Sequence, residues 1–295
     1  MRQNTPSGDS DAFRRCVLPL VLFKLLMKEG AVRLYFEVAR RSFRRVAAYR
    51  SAYVAGILTN AFFGALRSVV YIALFGSGAT VVAGFTLQEA ISYTWVTQAL
   101  ISIGAGWIDA RDLMQTIRSG NVVADLMRPW SFFGYWLSRS LGERVFNVLM
   151  RSTLTYLIGV LYFGAYIPSL VQAGAFAVSL ILALLVSFAL QFLVNLSAFW
   201  LMDDTGVLLV VNSLLQVFSG FLIPLAFFPE PLELLARVLP FQAITGLPAQ
   251  VFLGQLTGVA LLQAWALQLF WVLVMGGSAL ALLRVAMQKV VIQGG

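Results

Sequence analysis

The longest stretch of this chain without Asp, Glu, Lys or Arg is Ser152–Met202, an uncharged run of 51 residues. Val238–Leu283 gives another of 46 and Thr205–Pro229 one of 25, while two shorter runs, Ser68–Gln88 and Ala90–Ile108, flank Glu89. A water-soluble globule of 295 residues has too little interior to hide so much apolar sequence. The chain is 60% hydrophobic and only 12% charged, the latter about half the soluble average, and its mean hydropathy is +0.84. Lipid must therefore be the solvent for most of it. In lipid the backbone has to satisfy its own hydrogen bonds, which long uncharged runs do as helices. The expected fold class is an all-α polytopic membrane protein.

A crossing takes about 20 mostly apolar residues, which divides the chain into six spans near 52–75, 88–108, 145–166, 172–202, 206–227 and 260–284. Gly164-Ala-Tyr-Ile-Pro168 splits the 51-residue run where a hairpin turn would sit. Basic residues orient the set. Eleven of the 21 lie at or before Arg50, six lie between Arg111 and Arg151, and Arg284 and Lys289 follow the last span. Segments 76–88 and 165–171 carry none. The positive-inside bias then puts both termini in the cytoplasm. It also assigns the net charge of +8 to the membrane edge, so no nucleic-acid partner is expected. Eighteen arginines against three lysines fit a GC-rich bacterial genome, and the bacterial cytoplasmic (inner) membrane is the expected location.

Composition removes several chemistries. Without histidine the chain cannot build the zinc-peptidase helix motif, a His-based triad or a His-ligated haem, and the lone Cys16 allows no internal disulfide. No catalytic residue and no metal site is assigned. No G-x-x-x-x-G-K-[ST] occurs, and none of Lys24, Lys28 and Lys289 follows a glycine. The usual phosphate cradle is therefore missing from the sequence.

Residues 1–30 read as an extension. Residues 1–12 are polar and expected to be disordered, and Cys16–Met27 is apolar but short and carries Lys24, which suits an interfacial segment. The alternative is that the natural start is Met27. From 31 to 50 the pattern changes. Val32, Tyr35, Phe36, Ala39, Phe43, Val46 and Ala47 step by three and four, and Arg33, Arg40, Arg41, Arg44 and Arg45 take most of the other face. That spacing predicts an amphipathic helix on the cytoplasmic leaflet, either a generic basic anchor or an elbow coupled to a partner.

The loop 109–130 carries the most informative polar sequence. Ala110–Ser119 has helical periodicity with Leu113, Met114 and Ile117 on one side, Asp109 as N-cap and Gly120 as stop. Asn121–Met127 forms a second short turn ended by Pro129. Arg111, Asp112, Gln115, Arg118, Asp125 and Arg128 are expected to be exposed. Apolar knobs with mixed charge suit a groove on another protein; a solvated loop is the alternative. Further on, Pro224 falls where the fifth helix should still be in lipid, and Pro229 and Pro231 turn the chain into a short helix, Leu232–Val238. Phe241–Gly258, broken by Gly246, Pro248 and Gly254, is expected as short helices resting at the outer interface or re-entering it.

Six spans, an elbow helix and a helical loop, with the phrases IRSGNVVADLMRPWS and SGFLIPLAFFPEPLELLARVLPF, resemble the ABC-2-type permease family, the membrane subunits of ATP-driven exporters. The resemblance covers about residues 31–290, and the second phrase is the more specific. It implies that two permease subunits, identical or related, form a translocation path. It implies that the loop after span two is a coupling helix docked on a separate P-loop ATPase, present in two copies. ATP and Mg would be bound by that partner, and this chain would hold no cofactor. Carried over residue by residue, Arg111, Asp112, Gln115 and Arg118 contact the ATPase with Asp125 and Arg128 close by, and Pro224, Pro229 and Pro240 shape a re-entrant outer cap. The apolar spans fit a hydrophobic or amphipathic cargo such as a drug, a lipid or a natural product.

Polar residues inside the spans have two readings each. Arg67 lines the path or pairs with Glu89, or else snorkels to the outer headgroups. Gln191, Asn195, Ser197, Asn212, Ser213 and Gln216 line a substrate route, with Asn195, Asn212 and Gln216 the candidates, or bond helix to helix. Asp203 and Asp204 read as solvated caps in a tight turn, and Glu143 with Arg139, Arg144 and Arg151 as an interfacial charge cluster. The tryptophans read mostly as an aromatic belt. An ion-coupled secondary transporter is the competing function. It usually shows matching helix breaks in both halves and acids deep in the spans, and neither is seen here.

Overall fold

The computed structural model describes residues 29–293 except 79, 102–103, 105–110, 129 and 202–204. The extension before Glu29, the Asp109 cap and the Asp203-Asp204 pair thus lie outside the described residues. Among the described residues, four helices are long and apolar enough to cross a membrane: Arg50–Phe75, Phe132–Phe163, Leu170–Phe199 and Gly258–Gln288. In chain order the elements are α1 (Glu29–Ala48), α2 (Arg50–Phe75), α3 (Leu87–Leu100), α4 (Arg111–Arg118), α5 (Val122–Leu126) and α6 (Phe132–Asn147). A π-helical turn, Val148–Ser152, joins α6 to α7 (Thr153–Phe163), and α8 (Leu170–Leu196) and α9 (Thr205–Phe218) follow. Then come α10 (Glu230–Val238), α11 (Gly246–Phe252) and α12 (Gly258–Gln293).

Two boundaries differ most from the sequence expectation. The third long helix starts at Phe132, well before residue 145, because Ser131 caps it by accepting from the Gly134 N–H at 3.2 Å. Two of its internal arginines reach groups on neighbouring helices. Arg144 donates to the Leu184 carbonyl (3.0 Å) and to Gln191 Oε1 (2.8 Å), and Arg151 to the Gly56 carbonyl (3.4 Å) and to Asn60 Oδ1 (3.3 Å). The helix after Thr205 stops at Phe218 instead of reaching 227. Gly220 takes the left-handed conformation (φ +79°) and Pro224 has no N–H to continue the ladder. Helix α3 is regular to Leu100, and most of 101–108 lies outside the described residues.

Helices α2, α3 and α7 pack together, α8 lies along α12, and α11 is wedged against α8 and α3. Trp95 centres the first group. Its ring is fully buried against Gly64 and Gly159, where an added Cβ would meet ring atoms at 3.1 and 2.3 Å, and its Nε1 donates to Ser68 Oγ at 3.1 Å. Trp95 is thus core, not aromatic belt. The turn expected at Gly164–Pro168 is present as residues 164–169. Gly164 is left-handed at the end of α7, and a Ser169–Gln172 capping box starts α8.

Helix α1 puts its apolar face on protein. Gly142 lets the α1 backbone come so close that a Cβ there would overlap the Ala39 carbonyl. Phe43 meets Phe146 edge to face at 5.2 Å, and the Tyr35 hydroxyl accepts from the Ser131 N–H at 3.1 Å. Only part of the apolar set, Val32 and Phe36, remains exposed.

Candidate coupling interface and cap

Helix α4 is amphipathic, and its apolar side is plugged into the bundle. Leu113, Met114 and Ile117 are buried; Leu113 and Ile117 pack with Phe132, Trp136, Phe192 and Leu283. The helix begins at Arg111 and ends before Gly120, whose φ of +75° is the left-handed stop its sequence position anticipates. One free backbone donor of its first turn is satisfied from outside. Asn195 Oδ1 on α8 accepts from the Met114 N–H at 3.1 Å, while Asn195 Nδ2 donates to the Gln191 carbonyl at 2.8 Å. Asn195, expected as a path candidate, thus ties α4 directly to a membrane helix.

The polar side is held by four charges from three helices. Asp112 of α4 accepts from Arg45 of α1 (3.3 Å) and from Arg139 of α6, and Glu143 of α6 accepts from Arg45 (2.6 Å) and Arg139 (3.5 Å). Burial alone would lower the Arg45 pKa, but the neighbouring Glu143 and Asp112 outweigh it and raise it above the usual arginine value. Asp112 and Arg45 are therefore paired with each other. Arg139 and Glu143 complete the junction, a role that their spacing alone did not disclose. Among the other loop residues, Gln115 and Arg118 are exposed, Asp125 pairs with Arg128 at 3.6 Å, and the Arg128 guanidinium lies 5.0 Å over the Trp130 ring. On α1, Arg40 pairs with Glu37 at 3.3 Å, and Arg41 and Arg44 are exposed.

At the far end the broken chain after α9 is stapled by side chains. Tyr93 donates to the Gly220 carbonyl (2.8 Å), Arg67 to the Phe221 carbonyl (2.9 Å) and Gln268 to the Ala243 carbonyl (2.8 Å). Glu89 is engaged elsewhere, closing a capping box with Thr86 at the start of α3. The Arg67–Glu89 pair, one of the alternatives open to Arg67, is absent, because Arg67 is used on the broken backbone. Residues 240–249 are buried, which is the condition for irregular backbone at membrane depth. Pro224 and Pro240 are buried within this broken chain and Pro229 is exposed at the N-terminus of α10. On α9, Asn212 is buried and Gln216 half-buried.

A family model described as ABC-2 family transporter protein matches residues 63–294. No curated protein matches the chain closely enough to count as a relative. With four helices of membrane-crossing length and apolarity and a match over most of its length, the chain is an integral membrane protein belonging to the ABC-2 transporter family.

Proposed function

We propose that this protein is the permease subunit of an ATP-driven exporter, crossing the bacterial cytoplasmic membrane six times with both termini in the cytoplasm. Helices α3 and α9 complete the six spans. Two permease subunits, identical or related, enclose the path, and two copies of a separate P-loop ATPase bind ATP and Mg. The exposed apolar side of α9, with Leu209, Val210 and Val217, supports a second subunit there. The observation that carries the reading is α4. It is plugged into the bundle by Leu113, Met114 and Ile117, yet it presents Gln115 and Arg118 to solvent beside the Asp112 junction. Closure of the ATPase dimer on ATP would push α4, and through Asn195 and the Asp112 junction the push reaches α8, α1 and α6. The cargo is hydrophobic or amphipathic, and Pro224, Pro229 and Pro240 shape the cap that closes the outer end.

The test is gentle detergent extraction from the native membrane with identification of what co-purifies. A stoichiometric P-loop ATPase that disappears when residues 109–128 are replaced by a Gly/Ser linker is the expected result. No ATPase, together with ion-driven flux in membrane vesicles, would transfer the protein to the secondary transporters.

A further inference from the structure

Four buried polar atoms at one helix junction have no hydrogen-bond partner among the described residues: Gln98 Nε2, Gln98 Oε1, Thr155 Oγ1 and Arg151 Nε. Buried polar groups are normally paired, and leaving them unpaired costs most in a low-dielectric surrounding. The contacts around them fix the junction. Asn60 of α2 donates to the Gln98 carbonyl at 3.1 Å and accepts from Arg151 at 3.3 Å, and Ser152 donates to the Ala99 carbonyl at 2.8 Å. Thr155 lies one turn beyond Ser152, with Gly159 the next turn on against Trp95. It therefore faces α3 between Ala99 and Trp95, the stretch that carries Gln98.

Three features make this a site rather than a packing fault. Among the described residues Arg151 bonds only neutral groups, Gly56 and Asn60, and Glu143, the described acid nearest to it on the same helix, is occupied by Arg45 and Arg139. The guanidinium lies flat on α2 because residue 56 is glycine; a Cβ there would sit 2.5 Å from Arg151 Cζ. Arg151 and Gly56 are half-buried beside exposed Ala55, Thr59 and Leu154, so the Arg151 edge is the side from which the buried Gln98 and Thr155 can be approached. Gly56 and Asn60 lie roughly 9–15 Å along α2 from Arg50 at 1.5 Å per residue, the depth an amphiphile's polar head can reach from the α1 side.

We propose that the junction of α2, α3 and the π-helical turn binds the oxyanion head of an amphiphile from the leaflet on the α1 side. Arg151 Nε, Gln98 Nε2 and Thr155 Oγ1 donate to the oxyanion, and Gln98 Oε1 accepts from a hydroxyl next to it. A phosphate with a glycerol hydroxyl supplies both groups, and a fatty carboxylate supplies the oxyanion alone. The site is read from this chain alone and stands whether or not the proposed ATPase coupling holds.

The test is native mass spectrometry of the purified full chain in neutral detergent with phosphatidylglycerol, oleate or phosphatidylcholine added. The wild type should retain phosphatidylglycerol or oleate over phosphatidylcholine. Retention of phosphatidylglycerol alone assigns a phosphate head, retention of oleate alone a carboxylate, and retention of both a site selecting on charge. Arg151→Gln and Gln98→Leu should each weaken retention about tenfold, as loss of a charge-assisted or buried hydrogen bond implies. Gly56→Ala, which displaces the guanidinium, should weaken it too. Gln98→Leu should leave the melting temperature unchanged or raised, since it removes unpaired polar atoms; it decides the matter if Arg151→Gln does not fold. Equal retention of all three amphiphiles, or variants that retain them like the wild type, would overturn the site.

Discussion

The Arg67 guanidinium donates to the Phe221 carbonyl at 2.9 Å while its Cζ lies 4.7 Å above the Phe221 ring. One side chain from α2 thus holds both the backbone and the aromatic ring of the first residue after the break at Gly220. Tyr93 of α3 holds the carbonyl immediately before it. Within a membrane a broken helix leaves carbonyls that no lipid can satisfy, and each costs several kcal/mol if left bare. The broken segment 219–229 is held because helices on its flank supply the donors.

Removing a donor should therefore destabilise the fold by the price of one buried acceptor. Arg67→Leu is expected to cost about 1.5–3 kcal/mol and Tyr93→Phe about 1 kcal/mol. Thermal unfolding in detergent measures both. An Arg67→Leu protein as stable as the wild type would mean that water already reaches the Phe221 carbonyl.

Gly220 combines two constraints that can be separated. Its φ of +79° strains any other residue, and an added Cβ would lie 2.5 Å from the Tyr93 hydroxyl oxygen. Gly220→Ala should lose more stability in the wild type than in a Tyr93→Phe background, where the clash is gone and the backbone strain stays. Equal losses in the two backgrounds would show that the clash contributes nothing.

Gly142 sets the approach of α1 to α6. An alanine there would drive its methyl into the Ala39 carbonyl, and backbone cannot swing aside as a side chain can. Gly142→Ala should cost about 1–3 kcal/mol through overpacking and should loosen α1, seen as faster proteolysis within 29–48. Unchanged proteolysis would mean that α1 is held by its ion pairs and aromatic contacts instead.

Much of this was legible in the sequence because it follows from local chemistry. Gly120 ends α4, residues 164–169 form a turn, and Leu113, Met114 and Ile117 share one face, as their spacing requires; that face is buried in this chain's own bundle instead of being offered as knobs to a partner. The partners of the charges were not legible. Arg144 and Arg151 read only as members of a charge cluster, whereas backbone carbonyls and amide side chains on neighbouring helices receive them. Asn195 reads as one more intramembrane amide until α4 is brought beside it, and Arg67 shows no pairing with Phe221 at a separation of 154 residues. Such partners belong to the tertiary fold, which periodicity along one chain does not encode.

The last prediction separates fold from coupling at α4. Asp112 and Arg45 keep about half of their side-chain surface exposed, at 58% and 48%, so their ion pair contributes little to stability, at most about 1 kcal/mol. Arg139, only 17% exposed, also loses Asp112 but keeps Glu143 at 3.5 Å, so Asp112→Asn should leave the melting temperature nearly unchanged. Under the proposed mechanism, the same substitution lets α4 move without carrying α1 and α6, so ATP-dependent transport falls while ATP hydrolysis by the partner continues. Raising the salt concentration should reproduce part of the effect in the wild type, because exposed pairs are screened over roughly a Debye length of 10 Å at 0.1 M salt. Arg118→Glu, on the exposed side of the same helix, should instead weaken capture of the ATPase itself. Transport and hydrolysis that remain coupled in both variants would remove α4 from the mechanism.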